Sequence, residues 1–371
     1  MAVVGGGIAG VSIAYELAAE ASVVLLEREA QLAHHTTGRS AAMYLQSYGN
    51  PLVRALTVAS EPDFEVLERS LATPRLLTPQ AQLWIADKGA QARLEALLAT
   101  GGPLRPLTAS ECSALCPALR PERLMGGALD TSACEIDVMA LHHAYAHGLV
   151  ARGGEIRSST PVTSLQRSGS GWEVGTPAER LGADLVVNAS GAWVDLVAEL
   201  AGVEPVGIRP LRRTIFTSPV SWPGPIHGWP FVADLGERFY FRAEHDQVLV
   251  SPADETPDVP RDATPEELDI ARTMEVVNQQ TTLGLRSVRR AWAGLRCFVA
   301  DRSPVVGQRP GDPGFFWFGG QGGYGIQMAP ALARAGAGLL LHERLPSDLG
   351  LRIDAAELAP ERIDARPQPR G

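Results

Sequence analysis

Lysine is almost missing: a single Lys88 stands against 32 arginines, a bias read as coding preference rather than function. Cysteine is scarce as well. Cys112, Cys116, Cys134 and Cys297 are too few to staple a chain of 371 residues. Their spacing matches no structural zinc pattern, so no metal centre is expected and a reducing, cytoplasmic setting is. Positive charge is not in excess. The 33 basic and 42 acidic side chains leave a net charge of −9. That argues against a nucleic-acid partner, because neutralising phosphates needs a concentrated basic surface. No apolar run approaches the roughly 18 residues of a membrane-spanning helix. The amino terminus enters glycine without the basic-then-apolar pattern of a secretory leader. Only Ala2, Val3 and Val4 follow Met1 before that glycine, so the opening strand reads as lacking its first residues. What is there is ordinary for a folded soluble chain, with 45% apolar and 20% charged residues, and the length suits two domains.

The clearest local pattern lies at the start. Gly5, Gly7 and Gly10 fit G-x-G-x-x-G between the strand end Ala2–Val4 and a helical pattern from Ile8 to Ala19. Gly5 permits the tight turn, Gly7 lets backbone approach a pyrophosphate, and Gly10 lets helix and strand pack closely. The helix start turns free N–H groups, including those near Ile8 and Ala9, toward phosphate. Val23–Leu26 is a continuous apolar run of the buried parallel type. Glu27 ends it, seventeen residues after Gly10, where a carboxylate accepts hydrogen bonds from an adenosine ribose and disfavours a 2′-phosphate. Arg28 faces either the pyrophosphate or solvent.

Elsewhere the chain alternates. Helical patterns cover 53–67 and 90–98 around a strand at 82–86. Asp137 caps a helix running to about Ala151, and strands follow at 155–157, 162–166, 172–174 and 184–188. Sheet-like segments at 213–217, 239–242 and 248–250 precede a proline-marked loop and a helix at 266–280. A last core-like section spans Trp292 to Leu341, with a strand at 315–318 and a helix from near Gln327. The Arg/Pro-rich tail after Pro346 is expected to pack late or fray. Two distant stretches also look like cofactor surface. Val187–Trp193 ends a strand in small residues around Ala189 and Gly191, while Trp193 serves equally as a core cover. Gly319, Gly320, Gly322, Gly323 and Gly325 place five glycines in seven residues, costly in backbone entropy unless something must approach closely. A plain NAD domain is complete in one block; cofactor-like segments this dispersed suit a long dinucleotide such as FAD.

On these residues the chain resembles the FAD-dependent D-amino-acid oxidase/dehydrogenase superfamily, and within it the bacterial D-arginine dehydrogenases most. The matching stretches are Gly5–Ser12, Leu26–Leu32, Thr37–Ala42, Val187–Trp193, Trp292–Asp301 and Gln321–Gln327. The resemblance implies an α/β fold, with a Rossmann-like FAD-binding domain over 1–47, 132–208 and 291–371. A second, mixed-sheet α+β substrate domain would cover 48–131 and 209–290. It implies noncovalent FAD, held by the glycine turn, Glu27, Arg28, His35, Thr37, Gly38, Arg39, Ser40, Ala41, Ala42, Val162, Ala189, Gly191 and Trp193. Arg296, Gly320, Gly322, Gly323, Tyr324, Gly325, Ile326 and Gln327 complete that set. His34 is placed near the flavin or its phosphates, or in a solvent-facing loop. The implied reaction moves hydride from Cα of a D-amino acid to flavin N5, giving an imino acid that hydrolyses to a 2-oxo acid and ammonia.

Arg213, Arg296, Tyr48 and Tyr240 form the candidate carboxylate clamp, since guanidinium forks match carboxylates and phenols add directed hydrogen bonds. On sequence alone an internal salt bridge would account for Arg296 equally well; the resemblance favours substrate, and Arg213 over Arg212. The resemblance also places the Gly323 carbonyl beside the substrate amine. No side-chain base stands out, and a neutral amine needs none. Two departures from the arginine-dehydrogenase pattern matter. Gln82 matches the acid that grips a distal cation, and Met43 and Leu45 replace a His and a Thr. With Phe231 and Ala233 flanking, the expected substrate carries a neutral or apolar side chain. Cys297 reads as a buried inert thiol rather than a flavin link. The electron acceptor, whether a quinone, a protein or dioxygen, stays open, as does peripheral contact with the inner membrane through a quinone. Oligomeric state is not readable. The alternatives are an oxygen-using D-amino-acid, glycine or sarcosine oxidase of this fold, and an FAD-binding subunit without turnover.

Overall fold

The computed structural model describes residues 1–364; residues 365–371 lie outside the described part. The strand Ala2–Val4 pairs in parallel with Val24–Leu26 on one side and Val186–Asn188 on the other. These short strands are almost wholly apolar and buried, because both faces of the sheet are covered, one by helices and the other by a three-stranded sheet with the helix Val194–Leu200. The six-stranded sheet runs Val305–Gly307, Phe315–Gly319, Val186–Asn188, Ala2–Val4, Val24–Leu26, Glu155–Arg157, with only Val305–Gly307 antiparallel. Three strand ends therefore meet side by side, continuing into Gly5, Ala189 and Gly320. A crevice at the carboxyl ends of parallel strands, where the order switches direction, is where a dinucleotide lies in this architecture.

The helix Ile8–Leu17 follows the glycine turn and packs on the helices Val138–Ala151 and Ala329–His342. Asp137 caps Val138–Ala151 by accepting the Ala140 N–H at 2.9 Å, as its position before the apolar run predicts.

A nine-stranded mixed sheet forms the second layer. Its path is Thr256–Pro257, Arg209–Pro219, Gln247–Ser251, Tyr240–Glu244, Phe231–Asp234, Gln82–Ala86, Gly126–Asp130, Leu104–Leu107, and Arg290–Phe298 pairs with residues 209–217 of Arg209–Pro219. Its side chains alternate with period two. Phe216, Val232, Phe241, Val248 and Val250 enter one core with Ile270 and Val277 of the helix Glu267–Gln280. Ile215, Phe231, Ala233, Tyr240 and Leu249 face the other way. Two small sheets complete the fold: Ser164–Ser168, Gly171–Gly175, Arg180–Ala183, and Met43–Tyr44, Cys134–Ile136, Leu77–Pro79.

Two expectations are corrected. The boundary at 291 cuts through a strand: Arg290–Phe298 belongs to the substrate sheet, so the nucleotide layer resumes after Phe298. Its apolar run looks like the strands on either side, and only pairing reveals its sheet. The tail is packed, not frayed, through the described residues. Leu349, Leu358 and Ile363 are buried, and Arg362 donates to Asp301, Ser303 O and Pro304 O. The helix expected from near Gln327 runs Ala329–His342, and short helices Ser347–Gly350 and Glu361–Asp364 follow it. Among the described residues no helix is long and apolar enough to cross a membrane.

Candidate active site

The carboxyl ends of the parallel strands and the cleft-facing side of the nine-stranded sheet enclose one long cleft. At its inner end the glycine turn is braced from below. Glu27 is buried; Oε2 accepts the Gly6 N–H at 2.7 Å and Oε1 accepts the Glu29 N–H at 2.8 Å. His142 lies 2.9 Å from the Gly6 carbonyl through Nε2, and burial lowers its pKa. It thus acts as a neutral N–H donor holding the turn. Thr37 Oγ1 accepts the Ile8 N–H at 3.0 Å. Gly10 does not line the cleft; a Cβ there would run into the Gly5 carbonyl, the close packing expected of that position. A Cβ at Gly191 would meet nothing within 4 Å, so that glycine opens onto space rather than packing.

The cleft wall from Arg28 to Ala41 is stapled to the second layer. Thr36 Oγ1 donates to Leu295 O at 2.9 Å and accepts its N–H at 3.1 Å. Arg39 donates to Ala263 O and Ala293 O and pairs with Asp262 at 2.6 Å. Its guanidinium is therefore committed to protein, though Arg39 still lines the cleft. His35 sits 3.1 Å from Glu29, its ring centroid 4.7 Å from that of Trp193, over which Arg28 also lies at 5.2 Å. His34 lies 3.7 Å from Asp262. Ser40, Ala41, Val162, Ala189, Gly191, Gly320, Gly322, Gly323, Gly325 and Ile326 line the same space. Gly38 and Ala42 do not; they border a second, polar cavity on the far side of the segment. Tyr324 and Gln327 also stand off the lining. Gln327 is buried and bonded to Leu45 N, Leu45 O and Thr57 Oγ1.

Strand alternation separates the two adjacent arginines. Arg212 points to the helix side, where Asp254, Glu266 and Asp269 surround it. Arg213 faces the cleft, donating to Asp254 O at 2.8 Å and lying 3.3 Å from Glu255. Burial, with Arg296 nearby, lowers its pKa. Arg296 is half-buried in the cleft wall, and Nη1 donates to Tyr48 Oη at 3.2 Å. Among the described residues no carboxylate pairs with it. Burial would lower its pKa, but the phenols of Tyr48 and Tyr240 reverse that, and the guanidinium stays charged. Against its own burial, the Tyr48 phenol is in turn pulled below its ordinary range by Arg296 and Arg213. Gly323 lies under the Arg296 guanidinium; a Cβ there would sit 2.6 Å from its Cζ. Tyr240 lines the cleft, with Arg213 5.9 Å from its ring centre and its hydroxyl unpartnered.

Met43, Phe231, Ala233 and Tyr240 gather in one apolar cluster with Ile215 and Trp84, and Gln82 is buried at the strand position opposite Phe231. Leu45 is buried outside that cluster. Sequence reading missed Glu255, which joins Arg213 to Arg302 at 2.7 Å and has no local motif to reveal it. It also missed Leu196 and Leu200, cleft-lining residues whose four-residue spacing on the helix Val194–Leu200 was a usable signal.

Cys297 lines the cleft but is inert. Its Sγ lies 3.5 Å from Leu295 O, and burial pushes its pKa up to about 12. Iodoacetamide at neutral pH is expected to leave it unmodified, and acid precipitation to release all flavin into the supernatant; flavin retained in the pellet would contradict this.

The glycine cradle, the acceptor Glu27 and the anion-seeking clamp fit an extended dinucleotide with a carboxylate ligand before its ring. Fold and site together define a flavin-dependent oxidoreductase. The chain belongs to the FAD dependent oxidoreductase family (DAO), whose model matches residues 1–339, and its cofactor is FAD. It is 26% identical to human mitochondrial dimethylglycine dehydrogenase over 94% of its own length and 43% of that protein's. Over 58% of the chain it is 25% identical to the glycine oxidase of Bacillus subtilis, covering 57% of that protein. The chain spans less than half the length of the dimethylglycine dehydrogenases it matches. Among solved structures it resembles L-proline dehydrogenase of P. horikoshii, with a TM-score of 0.83, 20% identity, and 98% and 97% of the two chains covered. Glycine oxidase of Geobacillus kaustophilus follows at 0.82, with 21% identity over 96% and 97%. Identities this low carry the fold alone.

Proposed function

We propose that the protein oxidises the α-amine of a D-amino acid with an uncharged side chain, yielding an imino acid that water converts to a 2-oxo acid and ammonia. One observation carries this reading: Arg296 is half-buried in the cleft wall beside Arg213 and, among the described residues, has no carboxylate paired with it. A guanidinium held half out of water with no ion-pair partner is costly, and a substrate carboxylate is the partner that relieves it. FAD, when bound, supplies the two-electron sink. The chain's own residues supply placement. Arg296 and Arg213 hold the carboxylate, and the Tyr48 and Tyr240 hydroxyls direct it. Gly323 leaves room for the amine where a side chain would displace Arg296. Orientation of this kind lowers the barrier without a dedicated base. Glu255, held below the ordinary carboxylate range against its burial by Arg302 and Arg213, keeps Arg213 in place.

A secondary-amine substrate such as sarcosine or dimethylglycine is the second reading, favoured by the match to dimethylglycine dehydrogenase. Anaerobic mixing of the FAD-loaded protein with D-Leu, D-Phe, D-Met, D-Arg, glycine and sarcosine decides. Neutral D-amino acids are expected to bleach the flavin band fastest. D-Arg is expected to lag by on the order of tenfold or more, because Gln82 cannot neutralise a guanidinium. D-Arg outpacing every neutral substrate would overturn the side-chain reading, and sarcosine outpacing all of them would select the second. Admitting air and measuring peroxide then separates oxidase from dehydrogenase; the dehydrogenase reading expects little peroxide.

A further inference from the structure

Two residues near the arginine clamp carry a backbone conformation that side chains rarely adopt. Ala253 has φ 55° and Arg302 has φ 59°. In that left-handed region a residue other than glycine is costly unless its surroundings hold it there. Ala253 precedes Asp254, whose carbonyl accepts Arg213 Nε at 2.8 Å, and Glu255. For Arg302 the side chain supplies the reason. Its Nη1 donates to Glu255 Oε2 at 3.0 Å and its Nη2 to Oε1 at 2.7 Å, a two-pronged pair. Its guanidinium also covers the Phe298 ring at 3.7 Å. Arg213 Nη2 approaches the same Oε1 but stops at 3.3 Å. Glu255 thus stands between two arginines and is held mainly by the outer one. Burial would raise its pKa; the Arg302 pair, ahead of Arg213, keeps it below the ordinary carboxylate range.

The side chains of Arg302 and Glu255 are 43% and 33% exposed, and an ion pair so exposed adds little to folding stability. Its effect falls instead on Arg213, which is buried and lines the cleft. A carboxylate that engaged Arg213 fully would spend the fork that the substrate needs, and would repel the substrate's own carboxylate. We infer that Arg302 is a positioning residue: it takes both oxygens of Glu255 and so keeps the Arg213 fork open to the substrate. This rests on the carboxylate-clamp reading above and deepens it. Arg302 does not line the cleft, so it acts only through Glu255 and Arg213.

The test follows anaerobic flavin reduction of the FAD-loaded protein by whichever carboxylate-bearing amine of the panel bleaches it fastest. Varying its concentration separates Kd from the limiting rate constant. Arg302→Gly removes the charge and suits the left-handed backbone. Arg302→Met removes the charge and keeps a cover over Phe298. Both are expected to raise Kd on the order of tenfold and to change the limiting rate constant by less than about twofold. Adding Glu255→Gln to either is expected to return Kd to within about threefold of the unaltered protein, since the released side chain then carries no charge. An unchanged Kd in both single variants would overturn the inference while leaving the oxidation itself intact. So would a rise in only one of them, which would trace the loss to backbone or packing, or a double variant as weak as the single. Flavin that neither a D-amino acid nor sarcosine bleaches would overturn the clamp reading, and this inference with it.

Discussion

Replacing Arg296 with methionine is expected to leave FAD bound and lower kcat/KM for the amino acid by on the order of 10²–10³. The guanidinium is half-buried in the cleft wall with no carboxylate paired to it among the described residues, and a carboxylate placed before it forms a charge-assisted pair. Methionine keeps the length of the stem and removes the fork. Tyr48 loses the donor at 3.2 Å and the charge that pulls its pKa down, so its phenol becomes a weaker acid. The glycine turn, Glu27 and Thr37 are untouched, which is why flavin content should stay near one per chain. Flavin absorbance against protein, followed by steady-state kinetics, reads both effects. Loss of flavin with the arginine would mean that Arg296 serves the cofactor rather than the substrate.

The second large effect separates two glycines of one motif. Gly10→Val is expected to yield no soluble FAD-loaded protein, because its side chain would occupy the carbonyl of Gly5 at the contact between the first helix and first strand. Neither backbone can retreat, since Ala2–Val4 is held by strands on both sides. Gly7→Val meets only Thr37 Oγ1, at 3.2 Å, and otherwise projects toward the cleft it lines. That variant is expected to fold and to lose FAD. Circular dichroism with flavin content distinguishes the outcomes; a flavin-replete Gly7→Val would show that the cofactor does not approach this turn.

Much of this geometry is legible in the amino-acid sequence, for physical reasons. A glycine turn between a buried strand and a helix has few alternative explanations, and the strand ending at Asn188 and the glycines after Phe318 carry the same signature of small residues after an apolar run. Their convergence is the parallel sheet's doing, since it brings Gly5, Ala189 and Gly320 to adjacent strand ends. Other features depend on pairing, which short segments do not encode. The strand Arg290–Phe298 is as apolar as its neighbours in sequence, yet it hydrogen-bonds to Arg209–Pro219. The strand Leu104–Leu107 reads as loop because of Pro106; it lies at the end of the sheet path, where a missing N–H is tolerated. Glu255 is invisible in sequence because its role depends on Arg213 and Arg302, far from it in the chain. The distinction between Arg212 and Arg213, by contrast, follows from strand alternation once the strand is known.

The claim beneath all of this is that Arg213 and Arg296 present a carboxylate before the flavin so that one face of Cα meets it. Anaerobic mixing of FAD-loaded protein with the two enantiomers of one uncharged amino acid, followed through the visible flavin band, tests that most directly. Full bleaching by the D-enantiomer and none by the L-enantiomer is the predicted result. Faster bleaching by the L-enantiomer, or an oxidised flavin in both cells, would contradict it.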